Sequence, residues 1–176
     1  MQIARSAERA TERALEKLAR WLAWFGGAIL AALSIMTVVS IVGRAFIAFG
    51  LSPIKGDFEL VEMGSAIAVF AFMPWCQLNR GHVTVDILIG QGPRILMPLT
   101  DLIGDLVIAA IAFVIAWRLF AAIPEKRQYG EMTYILGLPI WWGYALASIG
   151  AALFFVVSAF TVWRSLNALL RRGRNA

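Results

Sequence analysis

The chain is poor in the residues that carry most redox and metal chemistry. Its 176 residues include one cysteine, Cys76, and one histidine, His82. One cysteine excludes an intrachain disulfide and a dithiol redox site, and one histidine excludes a bis-histidine haem site. No group of residues has the spacing of metal ligands. We therefore expect no metal and no cofactor in this chain.

Charge is also scarce. Only 15% of the residues are charged, 60% are hydrophobic, and the mean hydropathy is +0.75. A soluble domain is nearer half apolar and a quarter charged. A chain of 19.4 kDa cannot hide this much apolar surface from water, so the predicted solvent is lipid. The net charge of +5 is then a sign of membrane topology, and we expect no nucleic-acid partner.

Four apolar runs are long enough to cross a bilayer. They cover about residues 21–43, 60–79, 95–122 and 140–163. At about 1.5 Å per residue, a helix of roughly 20 residues spans a hydrocarbon core about 30 Å thick. The runs are too long and too uniformly apolar to be barrel strands, which alternate. The sequence predicts an all-α membrane protein with four transmembrane helices.

Lysine and arginine are distributed unevenly between the two sides that four spans create. Eleven lie in the N-terminal tail, the joint between spans two and three, and the basic tail 164–176, and five lie on the other side. Because cytoplasmic loops carry an excess of these residues, both termini are predicted to be cytoplasmic.

Residues 1–20 have the pattern of an amphipathic helix. One face carries small and apolar residues, and charged residues cover the other; the apolar face comprises Ile3, Ala7, Ala10, Ala14, Leu18 and Trp21. Two interpretations remain open: a helix that lies on the membrane or a partner, or a solvated extension of the first span.

Ionisable residues are rare inside the predicted spans. The first and fourth apolar runs contain none, the second contains none from Met63 to Asn79, and the third contains Asp101 and Asp105 near its start. The two aspartates are four residues apart, so they share a helix face. They either contact a neighbouring subunit or lie at headgroup depth, paired with Arg94 or water. A proton or sodium relay would need matching polar groups on other spans.

Charges also mark the outer ends of the first two spans. Arg44 ends the first span, and Glu59 and Glu62 open the second. They can simply mark where the bilayer ends. They can also form an ion pair between neighbouring helix ends, or a rim contact for an external protein.

Proline and small residues interrupt the bulky apolar pattern. Pro74 lies inside the second span and frees a backbone carbonyl one turn back, so a kink is expected there. Several small residues allow close helix approach, namely Gly26, Gly27, Gly64, Ala66, Ala68, Gly150, Ala151 and Ala152.

The stretch LNRGHVTVD, residues 78–86, is a short polar segment in an otherwise apolar chain, and we call it the joint. Arg80, His82 and Asp86 lie close together, and His82 and Asp86 share one side in either a helix or a strand. The joint either turns the chain and docks it to a partner, or is an ordinary polar loop.

Together these positions resemble a known family. The order is a basic-ended first span, GDFEL opening the second span, NRGHVTVD closing it, and two further spans with a basic tail. This order resembles the small membrane subunit of tripartite ATP-independent periplasmic (TRAP) transporters, the DctQ-like family. The positions that match the family's pattern are Arg44, Glu59, Arg80, Gly81, His82, Val85 and Asp86.

The resemblance implies a role in transport rather than catalysis. It implies a multi-pass protein of the bacterial inner membrane that scaffolds a large multi-spanning subunit. That subunit uses a sodium gradient to take up organic acids, and a periplasmic substrate-binding protein delivers the substrate. The partner-contact candidates are then Arg44, Glu59, Arg80, Gly81, His82, Asp86, Asp101 and Asp105.

Two other classes of protein compete with this interpretation. A self-sufficient four-helix exporter acting as a homodimer would need a membrane-embedded acidic residue, and the first span has none. A membrane oxidoreductase subunit would need cofactor ligands, of which one histidine and one cysteine leave almost none.

Overall fold

The computed structural model describes residues 2–79 and 96–173, and these residues form four long helices. The helices are α1 (Gln2–Ala45), α2 (Asp57–Leu78), α3 (Leu96–Tyr129) and α4 (Trp141–Gly173), with a short 3₁₀ turn at Ile47–Phe49. All four are long and apolar enough to cross a membrane. The predicted fold class of four transmembrane helices agrees with this arrangement.

The helices extend beyond the predicted spans. The third continues seven residues past 122 to Tyr129, and the fourth continues through most of the predicted basic tail to Gly173. An apolar run marks only the part of a helix whose side chains must be apolar because they lie in lipid. Polar residues beyond the runs remain helical where neighbouring helices or water satisfy their hydrogen-bonding groups.

Helix α1 shows that residues 2–20 continue the first span without a break. It contains 44 residues, which is about 66 Å at 1.5 Å per residue, or more than twice the hydrocarbon core of about 30 Å. The extension does not simply lie in solvent. Leu15 is buried in a cluster with Leu78, Val157 and Phe160, and Ala19 is fully buried.

The side of α1 that packs differs from the predicted apolar face. Of that face, Ala14, Leu18 and Trp21 are exposed, whereas Leu15 and Ala19 are buried. Glu12 reaches across to Arg164 near the end of α4, with Nη1 and Oε1 3.3 Å apart. The N-terminal extension is therefore fastened to the ends of α2 and α4.

The helices are arranged in the spatial order α1, α2, α4, α3. Helix α2 packs between α1 and α4, and α4 packs between α2 and α3, while the backbones of α1 and α3 do not meet in the described ranges. The result is an open row rather than a closed bundle. In the most apolar window of each helix, 50% of α4 is buried, against 11% of α1, 17% of α2 and 11% of α3.

The α2–α4 contact depends on a glycine opposite a proline. Pro74 has no N–H to donate to the carbonyl of Phe70, one turn earlier in α2. A Cβ atom at Gly150 of α4 would lie 2.5 Å from that carbonyl oxygen. Only glycine permits this approach, so Gly150 allows α2 and α4 of this chain to pack closely.

Candidate functional site

A buried polar cluster joins three of the four helices. It consists of Gln77 of α2, Asp105 of α3, and Thr161 and Ser165 of α4. Gln77 Nε2 donates to Thr161 Oγ1 at 3.0 Å and lies 3.4 Å from Asp105 Oδ1. Ser165 Oγ donates to Asp105 Oδ2 at 2.5 Å. One carboxylate and one carboxamide thus link α2, α3 and α4 directly.

The local structure places these side chains on facing surfaces. Thr161 and Ser165 are four residues apart, so both lie on one face of α4. The Thr161 hydroxyl donates to the Ser158 carbonyl at 2.8 Å, which leaves its oxygen to accept from Gln77. Asp105 is only 8% exposed, and a carboxylate buried among helices is tolerated when hydrogen-bond donors surround it.

Gln77 is the central side chain of the polar cluster. It is 2% exposed, and its Oε1 atom has no hydrogen-bond partner among the described residues. Gln77, Thr161 and Ser165 were not predicted from the sequence, because their side chains carry no charge. A glutamine one turn after an intramembrane proline was the available signal.

A second polar contact fastens the connection between α3 and α4. Both carboxylate oxygens of Glu59 accept backbone N–H groups, from Ile135 at 2.7 Å and from Leu136 at 3.0 Å. The side chain of Leu136 packs closely against Gly56, where a Cβ atom would leave no room for it. Gly56 also has a φ of 76°, which favours glycine. Glu59 therefore holds the α3–α4 connection against the start of α2.

The α3–α4 connection is ordered by its own backbone contacts as well. Met132 and Pro139 form an isolated antiparallel bridge, and Thr133 N–H donates to the Leu138 carbonyl at 2.9 Å. Lys126 lies 2.9 Å from the carboxylate of Glu131, which ties the end of α3 to the connection. These contacts hold Tyr134 and Ile135 exposed at its tip.

A third set of polar contacts joins the end of α1 to the start of α2. Ser40 donates to Asp57 Oδ2 at 2.6 Å, and the Arg44 guanidinium lies 3.8 Å from the same oxygen. Of the interpretations open for Arg44, the structure therefore gives an ion pair between neighbouring helix ends. Its partner is Asp57 rather than Glu59 or Glu62.

The predicted partner-contact residues fall into three groups. Arg44, Glu59 and Asp105 bind groups of their own chain, as described above. Asp101 is half-buried in α3, one turn before Asp105. Arg80, Gly81, His82 and Asp86 lie outside the described residues, and contact of any of the eight with another protein stays a prediction.

Within residues 2–79 and 96–173, no group of three or more histidine, cysteine, aspartate or glutamate side chains is arranged to hold a metal ion. The polar side chains are instead used to join helices and helix ends. The fold and these contacts define a small polytopic helical membrane protein whose own spans are fixed to one another.

The comparison with known families identifies the class more closely. Residues 33–168, 136 of the 176, match the family described as "Tripartite ATP-independent periplasmic transporters, DctQ component". The chain therefore belongs to the DctQ family, the small membrane component of TRAP transporters. No curated protein and no solved structure matches it at a significant level.

Proposed function

We propose that this chain is the small accessory subunit of a sodium-gradient-driven uptake transporter for organic acids. In this role it scaffolds a large multi-spanning membrane subunit and helps dock a periplasmic substrate-binding protein. Its location is the bacterial inner membrane, with both termini in the cytoplasm. Family membership supports the general role, because a DctQ protein is one component of a tripartite assembly.

The observation that carries the scaffold role is the open row of helices. Three of the four spans bury less than a fifth of their most apolar window inside the chain. Helix association in lipid depends on packing and interhelical hydrogen bonds, and an open row leaves long apolar sides for a further protein to pack on. A large membrane subunit is the partner that family membership supplies.

The polar contacts favour a fixed scaffold over a moving carrier. Gln77 and Ser165 donate to Asp105, so the carboxylate in the third span is engaged within the chain. A carrier needs polar groups along a path that a solute can visit. Here the buried polar groups hold three helices together, which suits a subunit that braces another.

The outer face supports a role in docking. Glu59 fixes the α3–α4 connection, and Asp57 fixes the ends of α1 and α2, so both outer connections are held in place. Tyr134 and Ile135 are exposed at the tip of the α3–α4 connection. We assign them, together with Arg44 and Glu59, to the contact with the binding protein. The joint at Arg80, Gly81, His82 and Asp86, together with Asp101, is assigned to the large subunit.

Purification of the tagged chain in a mild detergent tests this function. We expect a large, many-spanning membrane protein to co-purify in constant proportion. His82→Ala and Asp86→Ala should lower its recovery more than they lower insertion of this chain, with Gln128→Ala, exposed on α3, as the control. Isolation of homodimers alone would contradict the proposal and favour the self-sufficient exporter.

Orientation is tested separately with reporter fusions at the C terminus. A green fluorescent protein fusion should fluoresce, and an alkaline phosphatase fusion at the same place should be inactive. The opposite pair of results would place the C terminus outside.

A further inference from the structure

An apolar groove lies between α1 and α2. Its volume is about 760 Å³, within the range of about 300–1,000 Å³ that small-molecule sites occupy. The residues that line it include Arg20, Ala23, Gly27 and Ala31 of α1, and Phe72 and Trp75 of α2. We call it the α1–α2 groove.

Small residues on α1 create this space next to a tight helix contact. A Cβ atom at Gly26 would lie 2.9 Å from the Ala71 side chain, so the two helices touch there. One residue further on, Gly27 has only the tip of the Phe72 ring within reach, at 4.0 Å from a Cβ position. The helices therefore meet at Gly26, and the groove opens beside that contact.

The length of the groove matches one leaflet of a bilayer. Arg20 and Ala31 are eleven residues apart, which is about 16 Å along a helix that rises 1.5 Å per residue. The hydrocarbon core is about 30 Å thick, so the groove covers about half of it. A spanning helix of a partner would need a groove of full length, whereas the acyl chain of a lipid needs half.

The polar group of the groove lies at one end only. The Arg20 guanidinium stacks over the Trp75 ring, with 5.3 Å from Cζ to the ring centroid, and its Nη2 donates to Glu16 at 2.6 Å. A guanidinium has five N–H donors in a fork that suits phosphate, so it can bind Glu16 and a phosphate together. An apolar groove with an arginine at one end complements a phospholipid, which has an apolar acyl chain and a charged phosphate at one end.

The basic residues near Arg20 favour an anionic headgroup. Arg13 and Lys17 are exposed and lie seven and three residues before Arg20, on the same side of α1. Three basic side chains thus lie at or before the Arg20 end of the groove, where Glu16 binds Arg20 and Glu12 binds Arg164. Basic clusters of this kind next to a transmembrane span attract anionic lipids.

We propose that the α1–α2 groove binds one phospholipid with a net negative headgroup, in the leaflet on the side of the N terminus. The headgroup phosphate binds Arg20, and one acyl chain lies along Ala23, Gly27 and Ala31. The α1 wall of the groove precedes residues 33–168, so the family match does not include it. The inference is independent of the large subunit, because it needs only this chain and a membrane.

Native mass spectrometry of the purified full-length chain in detergent tests this site. The chain is titrated with phosphatidylglycerol and with phosphatidylcholine that carry the same acyl chains. We expect one phosphatidylglycerol to bind at least tenfold more tightly than phosphatidylcholine. Arg20→Gln should remove this preference, and Arg20→Lys should retain most of it because the charge remains.

Two control variants separate the groove from general attraction between charges. Arg118→Gln removes an exposed arginine next to Trp117 on α3, a helix that does not line the groove, and we expect less than a twofold effect. Gly27→Leu fills the groove and should weaken both lipids, whereas Gly104→Leu, which points into open space, should weaken neither. Far-ultraviolet circular dichroism checks that each variant keeps its helices.

Three results would overturn the proposal. The first is equal affinity for the two lipids in the unchanged chain. The second is an equal loss of affinity in Arg20→Gln and Arg118→Gln. The third is a groove occupied by protein, seen as a dimer that Gly27→Leu dissociates and phosphatidylglycerol does not affect.

Discussion

The Gln77 carboxamide nitrogen lies 3.0 Å from the Thr161 hydroxyl, joining two residues that are 84 positions apart in the sequence. The same nitrogen faces Asp105 on a third helix, at 3.4 Å from Oδ1. One side chain therefore sets the relative position of α2, α3 and α4 where α2 ends. In an open row, this contact replaces the mutual support that a closed bundle provides.

Replacement of Gln77 tests how much the polar cluster contributes to stability. Gln77→Ala removes the buried hydrogen-bond donor that serves both Asp105 and Thr161. The loss should lower the free energy of unfolding by about 1–3 kcal/mol. The measurement is denaturant unfolding in detergent micelles. Gln128→Ala, an exposed change of the same type on α3, should stay within about 0.5 kcal/mol. Equal effects of the two changes would mean that the cluster contributes nothing.

Gly150 tests the close approach of α2 and α4. Gly150→Ala places a methyl group 2.5 Å from the Phe70 carbonyl oxygen, so the helices must separate, at a cost of about 1–3 kcal/mol. Gly104→Ala on α3 meets nothing within 4 Å and should be neutral or stabilise by up to about 1 kcal/mol. Thermal unfolding of the two variants compares them directly. A neutral Gly150→Ala would refute the packing described for this pair.

Leu15 tests whether the N-terminal extension packs on its own chain. Leu15 is 8% exposed against α2 and α4, whereas Leu18, three residues later, is 56% exposed. Leu15→Ala should therefore cost about 2–5 kcal/mol, and Leu18→Ala much less. Limited proteolysis of residues 2–20 reports the same difference as faster cleavage in Leu15→Ala. The reverse order would indicate that the predicted apolar face is the one that packs.

Glu59 tests how the α3–α4 connection is held. Glu59→Ala removes the acceptor of the Ile135 and Leu136 amides, and hydrogen bonds to a charged group contribute about 1.5–3 kcal/mol. We expect these two amides to exchange hydrogen at least about tenfold faster, since 1.4 kcal/mol is a factor of ten. Glu62→Ala, an exposed glutamate on the same helix, is the control and should leave exchange unchanged.

The sequence was informative where one-dimensional patterns decide the structure. The four spans follow from the length of apolar runs, and the close approach at Gly150 follows from the small residues there. The helix order α1, α2, α4, α3 is set by pairwise packing, which no run of residues encodes. Leu15 stands among charged residues in sequence, and only the ends of α2 and α4 make it a core residue.

The polar contacts were predicted less well, for a related reason. A search for charges finds Asp105 and Glu59 but not their partners. The partners are an amide, one hydroxyl and two backbone N–H groups, contributed by residues from 28 to 77 positions away. An ion pair of Arg44 with the next helix was one of the open interpretations, and its partner is Asp57, which also accepts a hydrogen bond from Ser40.

Uptake by proteoliposomes tests the central claim, that these helices brace another protein and carry no solute themselves. Vesicles that contain only this chain should accumulate no organic acid under a sodium or proton gradient. Vesicles that also contain the large subunit and the binding protein should accumulate it. Gradient-driven accumulation by this chain alone would contradict the account.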